Sequence, residues 1–216
     1  MSPGSPSSLL SIFIGICLLF GMVIYWGLRT RKKLILDRDS LTIKDIVNLI
    51  EGFESLTGPI LWGYYYDVSN TVMGMKVRSE NVGTVGNFVY PMANPEFEMD
   101  SNGEKFRGKK TWHGSVFFKW PGANLYKENA IGTIPYISCR QISCSKLAVQ
   151  AEGVAPIEVF MPMGTLFSLK PIYEVIQNGK KIGFATHLVS GLDLRVVSLP
   201  ESIPLAVRVF ILSNIR

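Results

Sequence analysis

Residues 9–28, LLSIFIGICLLFGMVIYWGL, are twenty consecutive positions without a charged side chain. At about 1.5 Å of rise per residue, a helix of this length spans roughly 30 Å, the thickness of a bilayer's hydrocarbon core. Twelve of the twenty are Leu, Ile, Phe or Val, which together contribute roughly −4 to −7 kcal/mol toward insertion. Tyr25 and Trp26 fall at the end of the run, where amphipathic rings favour the interface. The expectation is a single transmembrane helix.

A cleaved signal peptide would carry a basic leader before a shorter apolar stretch. Residues 1–8, MSPGSPSS, form an uncharged polar tail instead, and the basic residues come afterwards: Arg29, Arg31, Lys32 and Lys33. Positive charge holds its side of the helix in the cytoplasm, so the expected orientation is N-terminus outside and C-terminal domain cytoplasmic. These four residues are the expected contacts with the lipid bilayer surface.

The charge balance beyond the anchor limits the partners. The chain carries 22 Lys and Arg against 17 Asp and Glu. Setting aside the four juxtamembrane cations leaves 18 against 17, a nearly neutral domain. A broad phosphate-binding surface needs clustered cations, so nucleic acid is not an expected partner.

Residues 29–58 read as a basic juxtamembrane segment followed by a short amphipathic helix. Thr42 and Asp45 have capping-box spacing, and Ile43, Ile46, Val47 and Ile50 recur at helical intervals up to Gly52. From residue 59 to 216 the pattern turns to strands. Candidates run over 60–68, 71–77, 84–90, 115–120, 131–137, 141–149 and 157–161. Asn178-Gly179 predicts a two-residue type I′ hairpin pairing Val175 with Ile182 and Tyr173 with Phe184. The stretch 205–212, apolar except for Arg208, reads as a strand buried on both faces, with a short helix as the alternative. Many short strands and one short helix predict a mainly β domain, an antiparallel sandwich or barrel.

Chemistry-bearing motifs are sparse. His113 and His187 are the chain's two histidines, and neither belongs to a nucleophile elbow. Cys139 and Cys144 are spaced too widely for a zinc knuckle, and a structural zinc needs four ligands. Asp100, Asn102 and Glu104 alternate as calcium ligands do, but Lys105 stands where the loop glycine belongs. No cofactor is expected. One basic and aromatic cluster stands out, Lys105, Arg107, Lys109, Lys110 and Trp112, the expected contact with any anionic surface.

Three functional readings follow. The first is a non-enzymatic membrane-anchored module that binds or scaffolds a protein partner at the membrane surface, a design also compatible with a viral membrane-associated protein. The second is a tethered hydrolase or transferase using His113 or His187. The third is a lipid-binding β-barrel, which requires an internal cavity. Self-association is left open by the sequence.

Overall fold

The computed structural model describes residues 41–50, 58–69, 71–80, 83–91, 94–114, 119–128, 134–162, 172–188 and 194–215, together with 15–19, 21, 22 and 25. The chain divides into two units, Met1–Thr42 and Ile43–Arg216. Most of the expected anchor, and all four juxtamembrane cations, lie outside the described residues. The described positions of the apolar run are helical, and Leu18, Leu19 and Met22 are about two-thirds exposed. Among the described residues no helix is long and apolar enough to cross a membrane.

The second unit opens with helix α1 (Ile43–Leu49), whose Ile46 is fully buried, as is Ile50 just beyond it. Twelve strands follow: β1 (Ile60–Ser69), β2 (Val72–Ser79), β3 (Gly83–Pro91), β4 (Glu96–Ser101), β5 (Glu104–Gly114), β6 (Lys119–Lys127), β7 (Ile137–Ser143), β8 (Lys146–Ala151), β9 (Val154–Phe160), β10 (Ile172–Gln177), β11 (Lys180–Leu188) and β12 (Leu194–Ser198). Each pairs antiparallel with its sequence neighbours, and β12 pairs with β1 to close a barrel. Of the two expected architectures, the closed one is formed. A second helix, α2 (Leu205–Asn214), completes the chain's described structure.

Segment 205–212 is therefore helix, not strand. The barrel explains the difference. A closed sheet has no free edge, because β1 is bonded to both β2 and β12, so an added strand would have unpaired backbone groups. A helix satisfies its own backbone, and one that is apolar on every side belongs in an interior. All residues from Ala206 to Ser213 are buried. Pro204 starts the helix, its carbonyl accepting from the amides of Val207 and Arg208 at 3.0 and 3.1 Å.

The wall makes room for α2. A Cβ at Gly86 would lie 3.3 Å from both methyl groups of Val209, and one at Gly63 would lie 3.3 Å from a methyl of Leu212. A twelve-stranded barrel is wider than the eight-stranded kind that side chains alone fill. Here α2 and inward residues from every strand, among them Leu61, Met75, Met99, Phe106, Leu125 and Val197, form one apolar cluster. A second buried set faces outward on β1, β11 and β12: Ile60, Trp62, Tyr64, Phe184, Leu194 and Val196.

Asn178 and Gly179 form the expected turn, with φ of 51° and 72°. Its register differs from expectation. A bulge between Val175 and Ile176 pairs Val175 with Gly183 and Tyr173 with Ala185, so Ile182 is the extra residue. Glu174 faces Phe184, and the four expected apolar partners do not share a face. The candidate strand 141–149 is likewise two strands, β7 and β8, turned at Cys144 and Ser145, where the Ser145 amide donates to Ser143 Oγ at 3.3 Å.

Candidate binding site

Strand alternation divides the basic and aromatic cluster of β5 between two environments. Met99 and Phe106 pair inside the barrel, which sets Gly108, Lys110 and Trp112 on the inner face. Lys105, Arg107 and Lys109 point outward, where they stand opposite Asp100, Glu98 and Glu96 of β4. Arg107 also approaches Glu128 at 3.8 Å, an exposed pair worth little. The structure thus places three of the five cluster residues on an outer face of alternating acid and base, and two at the barrel's rim. A depression of about 610 Å³ lies over that outer face, where Glu96 and Glu98 offset Arg107 and Lys109.

The inner face leads to a different site. At the end of the barrel where β5 finishes and β12 starts, a cavity of about 370 Å³ remains beyond the last turn of α2. That volume is within the range of small-molecule sites. Phe88 and Phe97, with ring centroids 4.8 Å apart, line it together with Met73, Ala123 and Leu147. Trp112 stands at its rim, 63% exposed.

Two cations enter this cavity from opposite walls. Lys110 donates to the Tyr90 hydroxyl, its ammonium 3.5 Å from the centre of that ring. Arg195 is buried against Tyr65, its guanidinium carbon 4.6 Å from the ring centre. Its Nη1 donates to the carbonyl of Ser213 at 2.7 Å, and the Tyr65 hydroxyl donates to the same oxygen at 3.1 Å. A helix end leaves carbonyls without intrahelical partners, and a cation there also meets the negative end of the helix dipole. Arg195 Nε is buried with no hydrogen-bond partner among the described residues. Among the described residues no Asp or Glu lines the cavity.

The histidines are apart from one another in role. His113 faces outward, its Nε2 2.8 Å from Thr111 Oγ1. His187 stands opposite Arg195 on the inner face. Asp193, the carboxylate nearest His187 in sequence, lies outside the described residues. Neither Cys139 nor Cys144 is in a disulfide; the first is buried on the inner wall and the second is exposed in the β7–β8 turn. Asp100, Asn102 and Glu104 form a tight turn in which Asp100 Oδ1 accepts from the Gly103 amide at 3.0 Å. Among the described residues no group of three or more His, Cys, Asp or Glu is placed to hold a metal ion.

Arg208 is a further buried cation, four residues into α2 and toward the end away from Ser213. Burial lowers its pKa from the ordinary arginine value, and Glu201 partly opposes that shift.

Sequence reasoning reached Lys110 and Trp112 but missed Arg195, Tyr65, Tyr90 and Ser213. Arg195 had one readable sign, a lone charge inside Leu194-Arg195-Val196-Val197. A cation in an otherwise apolar strand has to find a partner or a cavity.

In comparisons with known proteins, no family model, no curated protein and no solved structure matches this chain. Its class is defined by the structure itself: a closed antiparallel barrel filled by its own C-terminal helix, with a cationic, partly apolar recess at one end.

Proposed function

We propose that the chain is a membrane-anchored, non-enzymatic binding module whose barrel mouth takes up a small amphipathic molecule. The observation that carries this reading is the 370 Å³ cavity, walled by Phe88, Phe97 and Leu147 and entered by Lys110 and Arg195. The apolar body of a ligand would lie against the rings, with its polar end between the cations. Anchoring rests on residues 9–28 of the sequence, and the cytoplasmic placement of the domain on the basic residues Arg29, Arg31, Lys32 and Lys33 that follow them.

The test is to fill the cavity. Ala123 is buried on its wall, so Ala123→Trp should abolish uptake of an environment-sensitive apolar dye by the purified full chain. Far-ultraviolet circular dichroism checks that the variant is folded. Dye uptake unchanged by Ala123→Trp sinks the reading. Retention of the full chain in vesicles after alkaline carbonate tests the anchor separately.

A second reading, a scaffold for a protein partner, draws on one observation. Val68, Trp112 and Ile142 are exposed apolar residues that all lie at the mouth ends of their strands. Exposed apolar groups gathered at one end of a domain suit a partner surface. Replacing all three with Ser should lose a partner recovered by crosslinking, and recovery of only the monomer from the unmodified chain would exclude the scaffold.

A further inference from the structure

We infer that the outer face of β4 and β5 is a contact surface for a second copy of this chain, the two copies related by a two-fold axis parallel to these strands. The inference goes beyond uptake at the barrel mouth and does not depend on it.

The face consists of two rows of charge. Glu96, Glu98 and Asp100 form an acidic row on β4, and Lys109, Arg107 and Lys105 form a basic row on β5, each acid directly opposite one base. The rows lie about 4.8 Å apart, and charges within a row repeat every ~6.7 Å. All six side chains are described; five are exposed and Asp100 is half-buried. The outward residues beside the rows, Asn87 and Val89 on β3 and Asn124 and Tyr126 on β6, are uncharged.

Within one chain the rows do not close on each other. Among the described residues no ion pair joins them, and Arg107 reaches Glu128 at 3.8 Å instead. The charged ends are therefore open to an outside surface of matching pattern.

The face is its own complement. Turned over a two-fold axis that runs along the strands between β4 and β5, a second copy brings its basic row over the acidic row of the first. Glu96 then meets Lys109 of the other copy, Glu98 meets Arg107 and Asp100 meets Lys105, and each contact occurs twice. A two-fold axis across the strands sets acid on acid and base on base. The pattern thus admits one orientation, with the same end of both barrels facing the same way. Two chains anchored in one membrane, as residues 9–28 lead one to expect, need that orientation. The depression of about 610 Å³ over the face leaves room for the long side chains of the opposing copy. Exposed pairs contribute little singly. The surface sets orientation, and confinement to one membrane supplies the effective concentration.

The experiment reads Förster transfer between full chains in vesicles, labelled at the exposed Cys144 in a Cys17→Ala background. One variant reverses the acidic row with Glu96→Lys and Glu98→Arg; another reverses the basic row with Arg107→Glu and Lys109→Glu. Asp100 stays in place because it accepts from the Gly103 amide. Transfer with the unmodified face should exceed that of either variant alone by about fivefold or more, and about 1 M salt should bring it down to their level. A mixture of the two variants should restore it, since each then meets the opposite charge. Should a double variant fail to fold by far-ultraviolet circular dichroism, Glu98→Arg and Arg107→Glu alone run the same exchange. Transfer unmoved by either reversal puts the contact elsewhere and overturns this face. Absence of transfer from the unmodified face, with or without a different protein crosslinked there, overturns the second copy. Loss in both variants without recovery in the mixture overturns the row-on-row pairing.

Discussion

Arg195 on β12 donates to the carbonyl of Ser213 on α2 at 2.7 Å, so the strand that closes the barrel also fastens the end of the helix that fills it. This bond joins wall and plug at the edge of the candidate site. Tyr65 of β1 adds a second donor to the same oxygen. The two strands that meet at the barrel's seam therefore both hold the plug.

Replacing Arg195 should show what that fastening is worth. Arg195→Ala removes a charged donor and leaves Tyr65 alone on the Ser213 carbonyl. The expected loss is about 1.5–3 kcal/mol of unfolding free energy, read as a lower midpoint in urea. Tyr65→Phe, which removes the neutral donor, should cost less, about 1 kcal/mol.

Fit between wall and plug is tested at Gly86. A methyl there would stand 3.0 Å from the Asp100 carbonyl oxygen and 3.3 Å from Val209. Gly86→Ala should destabilise by about 1–3 kcal/mol. Trimming the opposite side chain with Val209→Ala should recover part of that loss, so the double variant is more stable than the sum of the singles predicts. A double-mutant cycle of denaturation free energies measures this coupling. Strict additivity would mean that the two residues do not press on each other.

Phe210, fully buried at the centre of α2, should be among the costliest positions to truncate. Phe210→Ala is expected to lose about 3–5 kcal/mol. Deleting the last ten residues should prevent folding altogether, since the barrel would then enclose an unfilled interior. Loss of the cooperative thermal transition is the readout.

Arg208 offers a prediction of opposite sign. Its pKa falls on folding because burial disfavours its charge. A base whose pKa is lowered in the folded state opposes folding at every pH below that value, and the penalty lifts only as pH rises through it. For an arginine that point is far above neutrality. Arg208→Met should therefore raise the melting temperature, by an increment equivalent to about 1 kcal/mol, and the gain should be flat from pH 5 to pH 8.

These positions also show what was legible in the sequence. The mainly β character and the Asn178-Gly179 turn follow from strand formers and a dipeptide suited to positive φ, and both are local signals. The helix at 205–214 was not legible from its own residues. Val207, Val209 and Ile211 favour strands, and only the absence of a free edge elsewhere in the sheet makes the helix necessary. Register beyond the hairpin was lost for a similar reason, since the bulge at Ile182 is set by where Phe184 and Ala185 must face. The candidate site was half legible. Lys110 stood in a basic cluster, and counting by twos along β5 separates it from Lys105, Arg107 and Lys109. Its counterpart Arg195 is 85 residues away in the chain, and no spacing rule connects them.

Closure of the sheet also dictates an order of events during biosynthesis. Ile60 pairs with Ser198, near the two extremes of the domain, and α2 follows still later in the chain. A growing polypeptide cannot seal this barrel while residues 194–214 remain inside the ribosome. Hairpins such as the one at Asn178-Gly179 can form as they emerge, but an open, half-apolar sheet must wait until β12 and α2 have also emerged. Translation arrest that holds residues 194–214 inside the ribosome should therefore leave a species bound by chaperones, and their emergence should discharge it.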